Sequence, residues 1–380
     1  MNRKPVILAT VGCFWPGNDA SGPNQSFAAA ASALKDEFDF LLLARDRPLG
    51  ESIGAAPQGW VDLGFARAQY LAPLRFGARG LISLIKQTPH DLLWFNSVYD
   101  REFTLPALAA SRIGGLGQTP ILLSPRGEFG AGALEVKATK KQVFLHAARA
   151  LGLWRGITWH ATSEAEAKDM AAEAPRDAKI VVAANLRLML TPPPFQPPSE
   201  ALRVVFVGRI APIKGLPFAL EVLARFSRPA IFEVLGPPED ATTHAQALVL
   251  ATKLPPHVKV VWRGVVSNEE IVEAHSRSDI LLLPTAGENF GHAIFEALSC
   301  GVPALISDRT PWRGLAAKHA GWDLPLTNPD AFLAKLEYFA QASAEERAIW
   351  REGARDRARA YVEESGAVEA TSRMLREAMR

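Results

Sequence analysis

The chain has 380 residues, 48% hydrophobic and 22% charged, with 42 Lys+Arg against 40 Asp+Glu, the size and composition of two ordinary globular domains. A net charge of +2 argues against a nucleic-acid-binding habit, and 2 cysteines cannot build a disulfide framework, which fits a cytoplasmic compartment. No run approaches the roughly 18 to 20 apolar residues that a membrane span needs.

The start, Met1 to Trp15, imitates a signal peptide, but its apolar run is short and leads into Pro16-Gly-Asn-Asp19 without a small-x-small cleavage site. It reads as a first strand, Val6–Val11. Strands are then predicted at Phe38–Ala44, Leu92–Asn96, Ile121–Ser124 and Ile157–Ala161, with helices over Gln25–Lys35, Pro106–Arg112 and Val136–Leu151. Five prolines between Thr191 and Ser199 interrupt this alternation; lacking N–H donors, they mark a semi-rigid linker over 191–200. Beyond it strands are predicted at Arg203–Val207, Phe232–Leu235, Val258–Trp262, Ile280–Pro284 and Ala304–Ser307. Helices start at Leu216 and at Asn268, the latter behind the capping box Ser267-x-x-Glu270. Alternating β and α on both sides of the linker predicts a doubly wound parallel sheet in each half. Residues 1–190 carry 21 Lys+Arg against 17 Asp+Glu and the rest 21 against 23, so the first half is the basic one.

The most informative stretch runs from Pro284 to Pro303. It follows a buried-strand run and opens a short helix ended by Gly301. Two carboxylates, Glu288 in the loop and Glu296 about two turns into the helix, stand roughly 12 Å apart at 1.5 Å per residue. Glu296 sits among Ile294, Phe295, Ala297 and Leu298, a poor place for an unpartnered charge. A helix N-terminus behind a parallel strand presents N–H groups to an anion. A phosphate there, flanked by carboxylates for hydroxyls, is the chemistry of a nucleotide-diphosphate sugar. Arg209 and Lys214 lie in the loop after the Arg203–Val207 strand, where ligands gather in open α/β sheets, and can neutralise a diphosphate.

Glu288-Asn289-Phe290-Gly291 with Glu296 and Gly301-Val-Pro303 resembles the donor motif of the family 4 glycosyltransferases. Gly208-Arg209-Ile-Ala-Pro-Ile-Lys214-Gly215 is similar to that family's second block. Weaker likeness covers Ser21 to Ser26, Ser124-Pro-Arg126-Gly127 and His160 to Ser163. Thr310-Pro-Trp312-Arg-Gly314 with Gly321-Trp322 looks like a subset of bacterial enzymes that build surface polysaccharides. The resemblance implies the GT-B fold, two Rossmann-like domains facing across a cleft: residues 1–190 on the acceptor side, 201–360 binding the donor, and 361–380 forming a helix that crosses back.

It further implies a retaining reaction in which Arg209 and Lys214 stabilise the leaving diphosphate and Glu288 holds the donor sugar. Glu296 then binds the ribose, with Asn289, Phe290, Gly291, His292, Gly22 and Gly236 as further donor contacts. For Phe290 the alternative is a core plug, and for the Ser21–Gln25 turn an ordinary helix entry. Many family members place a histidine opposite the anomeric centre; this chain has Arg126 near that position, the acceptor-side candidate together with Asn24. A glycan or lipid-linked acceptor is expected, with no cofactor and no metal.

Several motifs are missing. There is no D-x-D metal motif, zinc spacing, nucleophile elbow, G-x-G-x-x-G or P-loop, which counts against a metal-dependent transferase, hydrolase, dehydrogenase or ATPase. The basic segment Val136–Arg155, with Lys137, Lys140, Lys141, Arg149 and Arg155, reads either as peripheral contact with an anionic membrane face or as an amphipathic helix packed on the first sheet. A same-fold epimerase or phosphorylase, or a catalytically silent scaffold, is the rival to a transferase.

Overall fold

The computed structural model describes residues 3–14, 21–46, 57–129, 138–196 and 199–380. The chain divides into two compact units, Met1–Arg187 with Gly366–Arg380, and Leu188–Ser365.

The N-terminal unit holds one sheet: β1 (Val6–Cys13), β2 (Asp39–Arg45), β3 (Trp60–Asp62), β4 (Arg67–Leu71), β5 (Leu92–Asn96), β6 (Ile121–Ser124), β7 (Ile157–Ala161) and β8 (Lys179–Val182). Their spatial order is β3-β4-β2-β1-β5-β6-β7-β8, parallel throughout except for the β3–β4 pair. β5, β6 and β7 are buried along their whole length, the mark of a parallel sheet covered on both faces. One face packs Leu8, Leu93, Phe95, Trp154 and Trp159 together, and the other packs Phe27, Phe40 and Trp94. The last helix, α12 (Ala367–Ala378), adds Met374, Leu375 and Ala378 to that second face.

In the C-terminal unit β9 (Leu202–Val207), β10 (Ala230–Leu235), β11 (Val258–Gly264), β12 (Ile280–Leu283), β13 (Ala304–Ser307) and β14 (Gly321–Leu324) form an all-parallel sheet. The order β11-β10-β9-β12-β13-β14 puts the topological switch between β9 and β12, where such sheets bind ligands beyond the carboxyl ends of the strands.

The Pro-rich segment belongs to the C-terminal unit and is no free spacer. Leu190 N–H donates to Ser299 Oγ at 2.7 Å, and the Arg351 guanidinium lies 3.8 Å over the Phe195 ring. Pro197 and Pro198 lie outside the described residues, as do Met1, Asn2 and Trp15 to Ala20 of the first predicted segment. Elements the periodicity did not flag include β3, β4, β8, β14, and the helices α2 (Pro73–Gln87), α7 (Ala241–Ala251) and α10 (Pro329–Gln341). β3 and β4, the last two strands on one side of the sheet, are partly exposed and mix polar with apolar residues, so they lack the continuous apolar run that betrays a central strand; β8, the opposite edge, is only 4 residues long.

Candidate active site

Two loops meet at the switch point of the C-terminal sheet. The first follows β9 and ends in a single 3-10 turn, Pro212–Lys214. The second follows β12 and runs into helix α9 (His292–Ser299), whose N-cap is Gly291. They are stitched by backbone and side chain: Ala286 N–H donates to Ile213 O at 2.7 Å and Thr285 Oγ to the same carbonyl at 2.9 Å. Gly215 has φ 73°, and a Cβ there would lie 2.1 Å from Pro284 O. Only glycine allows this approach, so the G in the K-G pair is a packing requirement of the two loops. Gly236, after the neighbouring strand β10, meets the same constraint: a Cβ there would lie 2.1 Å from Gly208 O.

The stitching brings Lys214 and Glu288 together. Lys214 Nζ donates to Glu288 Oε1 at 2.7 Å, with the side chains 17% and 11% exposed. Arg209 is on the rim, exposed and paired with Glu239. Asn289 is exposed beside the pair, and His292, half-buried at the first position of α9, packs edge-on to Phe290 at 4.9 Å. Phe290 itself is buried among Phe295, Trp312 and Tyr361. Its ring is a core plug, and its carbonyl accepts the Trp312 indole N–H at 2.6 Å. Trp312 therefore holds the donor-motif loop from behind, a role that its place in Thr310–Gly314 did not reveal. Glu296 is 2% exposed on α9. One turn on, burial and the Glu296 carboxylate push the Cys300 thiol up to about 12.

The N-terminal candidates lie on a different framework. Gly22 opens helix α1 (Gly22–Leu34), Ser21 makes no capping side-chain bond, and Asn24 is buried in the first turn. Arg126 follows β6 with a left-handed φ of 57°. Its Nε donates to Asn96 Oδ1 at 3.0 Å and its Nη1 to Asn185 Oδ1 at 2.9 Å. Burial lowers its pKa to about 10, against the pull of Glu166, so it stays charged at neutral pH. Beneath it, Trp94 Nε1 donates to Ser124 Oγ at 2.8 Å, and Ser124 Oγ lies 2.8 Å from His160 Nδ1. His160 Nε2 is 2.8 Å from Ala183 O. A carbonyl only accepts, so Nε2 carries the proton and Nδ1 accepts from Ser124. Burial, with Arg126 close by, pushes this imidazole down to about 3. His160 is a satisfied, neutral core residue.

The basic segment forms helix α4 (Ala138–Ala150), whose Phe144, Leu145 and Ala148 pack on the first sheet. Arg149 is committed to the carbonyls of Ala172 and Glu173 and to the Glu173 carboxylate. Lys137 lies outside the described residues, as do the side chains of Lys140 and Lys141. Among the described residues no helix is long and apolar enough to cross a membrane, and no three His, Cys, Asp or Glu side chains gather as a metal-binding group.

Residues 192–357 match the family model of the glycosyl transferases group 1. That match contains both loops of the switch point. The C-terminal unit is a group 1 glycosyltransferase domain. The D-inositol 3-phosphate glycosyltransferase of Mycolicibacterium smegmatis is 30% identical over 114 residues, covering 30% of this chain and 26% of that enzyme. The chain thus aligns with about a quarter of the length of the curated relatives it matches. Among solved structures, sucrose-phosphate synthase from Thermosynechococcus elongatus superposes with a TM-score of 0.70 at 15% identity, over 99% of both chains. Anabaena HepE in complex with UDP-glucose gives 0.66 at 15%, over 98% of this chain and 99% of that one. The likeness in fold spans both units, and the two Rossmann-like α/β units are those of the GT-B glycosyltransferases.

Proposed function

We propose that the protein is a retaining, metal-independent glycosyltransferase. It moves a sugar from a nucleotide-diphosphate donor to a hydroxyl of a glycan or lipid-linked acceptor in bacterial surface polysaccharide synthesis. The reading rests on one observation: Lys214 and Glu288 meet at the carboxyl ends of β9 and β12, with Arg209 on the rim of the same β9 loop, within the group 1 match. HepE, with this fold, was solved with UDP-glucose, which supports a nucleotide-sugar donor.

Lys214 spends one N–H on Glu288 and has two more for diphosphate oxygens, since an ammonium offers three donors. It then bridges the leaving group and the carboxylate that faces the sugar. Arg209 gives up an exposed pair of little worth to join the diphosphate. As the bond from anomeric carbon to diphosphate oxygen breaks, these cations take up the growing negative charge. The acceptor oxygen attacks from the same face, and its proton passes to the departing diphosphate.

The test is calorimetric titration of UDP, GDP and ADP into wild type and Arg209→Ala, with and without EDTA. One nucleotide binding at micromolar Kd, insensitive to EDTA and weakened by the substitution, supports the donor site. Absence of binding by all three refutes it. An inverted product, or strict dependence on added divalent metal, refutes the mechanism.

A further inference from the structure

Helix α7 of the C-terminal unit faces solvent with no acid, lysine or arginine between Ala241 and Thr252. A surface helix ordinarily turns charged residues away from its core, as α8 (Asn268–Ser276) does with the exposed Glu269, Glu270 and Glu273. Helix α1 is equally free of charge, but Phe27, Ala30 and Leu34 bury it in a core shared with Met374 and Leu375 of α12. The inner side of α7 is packed: Thr243 and Ala247 are buried, and His244 meets Trp262 of β11 with 6.0 Å between ring centroids. On the outer side Thr242, Ala245, Leu248, Val249 and Thr252 are exposed, Leu248 at 43% and Val249 at 56%. An exposed face with apolar residues and no charge has the composition of the centre of a protein interface. Charge is confined to the ends, with Glu239 and Asp240 ahead of the helix and the exposed Lys253 behind it.

We infer that α7 is the contact between two copies of this chain, packed antiparallel about a twofold axis level with Ala247. Thr242, Ala245, Val249 and Thr252 recur at alternating spacings of three and four, the seam of a paired helix. In the antiparallel register Ala245 faces Val249 of the second copy, small against large, and Thr242 faces its Thr252. The twofold axis repeats each contact. The same register sets the acidic end, Glu239 and Asp240, level with Lys253 of the second copy, and it opposes the two helix dipoles favourably. A parallel pairing would instead bring Glu239 and Asp240 against their own counterparts, which costs affinity. Glu239 also pairs with Arg209, so the acidic end of the seam adjoins the rim of the candidate site. The helix is about 16 Å long at 1.5 Å per residue, a small contact beside the roughly 800 Å² a side of a standard interface. The association is therefore reversible and in the micromolar range.

The experiment is sedimentation velocity over a concentration series of wild type, Val249→Glu and Lys253→Glu. The first variant puts a charge into the seam, and the second sets acid against acid at its ends. Both sites are exposed, so the thermal midpoint of unfolding should stay where it is and show that each variant folds. Wild type should dimerise reversibly, and each substitution should weaken the dimer by about tenfold or more. Register is read by cross-linking Ala245→Cys and Val249→Cys proteins under mild oxidation, with wild type as the control for its own cysteines. The two mixed together should form a covalent dimer, and each alone far less, because position 245 faces 249 and not itself. Three results overturn the inference: wild type that stays monomeric up to its highest soluble concentration, a dimer that Val249→Glu leaves intact, or cross-linking no greater in the mixture than in either protein alone.

Discussion

Replacing Lys214 by methionine probes the centre of the proposed donor site. The ammonium and the Glu288 carboxylate are 2.7 Å apart and 17% and 11% exposed. A charge-assisted hydrogen bond so sheltered contributes about 2 kcal/mol. Removing the cation also strands a carboxylate that has lost much of its water, so the expected loss is about 2–3 kcal/mol. At roughly 2–4 °C per kcal/mol for a unit of this size, the transition of the C-terminal unit falls by about 4–12 °C. Glu288→Gln is expected to cost somewhat less, because an ammonium with flexible carbons reaches water more readily than a short-tethered carboxylate. The double variant should lose clearly less than the sum, with a coupling of about 1.5–2 kcal/mol. Scanning calorimetry of the four proteins measures the cycle, and nucleotide titration of the same four measures the site. Lys214→Met should weaken the preferred nucleotide about tenfold or more, one decade being about 1.4 kcal/mol. Glu288→Gln should leave that affinity intact or improve it, since it frees a donor on the lysine. Two results refute the reasoning: an additive cycle, or equal nucleotide losses in the two single variants.

Three further outcomes are expected. His275 is fully buried with neither ring nitrogen hydrogen-bonded, and its pKa is pushed down to about 3, as is that of His160. Below the ordinary value of 6.5 the unfolded chain binds protons that the folded one refuses, so stability falls with pH from about 6.5 towards about 3. Each histidine then costs about 2 kcal/mol between pH 7 and 5; His275→Met should flatten the pH profile of urea unfolding by that amount, and an unchanged slope counts against the burial argument. Gly215→Ala should destabilise the C-terminal unit by more than about 2 kcal/mol and abolish nucleotide binding, because the new methyl group overlaps the Pro284 carbonyl; calorimetry reads both. Trp312→Phe keeps an aromatic ring but removes the bond to Phe290 O, so about 1 kcal/mol of stability goes and donor KM rises with little change in kcat.

Much of this protein was legible as sequence, for identifiable reasons. Central parallel strands such as Leu92–Asn96 and Ile280–Leu283 are apolar on both faces, and that pattern is local. So is the capping box at Ser267, which forms as read, with reciprocal bonds between Ser267 and Glu270. The two carboxylates around α9 and the two cations after β9 are set by spacing along single loops. What sequence could not supply was every relation between segments far apart in the chain. Lys214 and Glu288 are 74 residues apart, and their pairing exists only because Gly215 lets one loop rest on Pro284. Phe290 reads alike as ligand contact and core plug until Trp312 and Tyr361, brought in from distant elements, close around it.

The same holds in the N-terminal unit. Ser124-Pro-Arg126-Gly127 gave a cation at the end of a strand, and its sequence neighbours say nothing of how that charge is held. Tertiary structure decided it by bringing Asn96 and Asn185, from 30 and 59 residues away, onto one guanidinium. Hydrophobic periodicity and turn chemistry are properties of neighbouring residues, so they fix strands, helices and loop ends. Hydrogen-bond partnership and charge balance depend on distance in space, and only the folded sheet sets those distances.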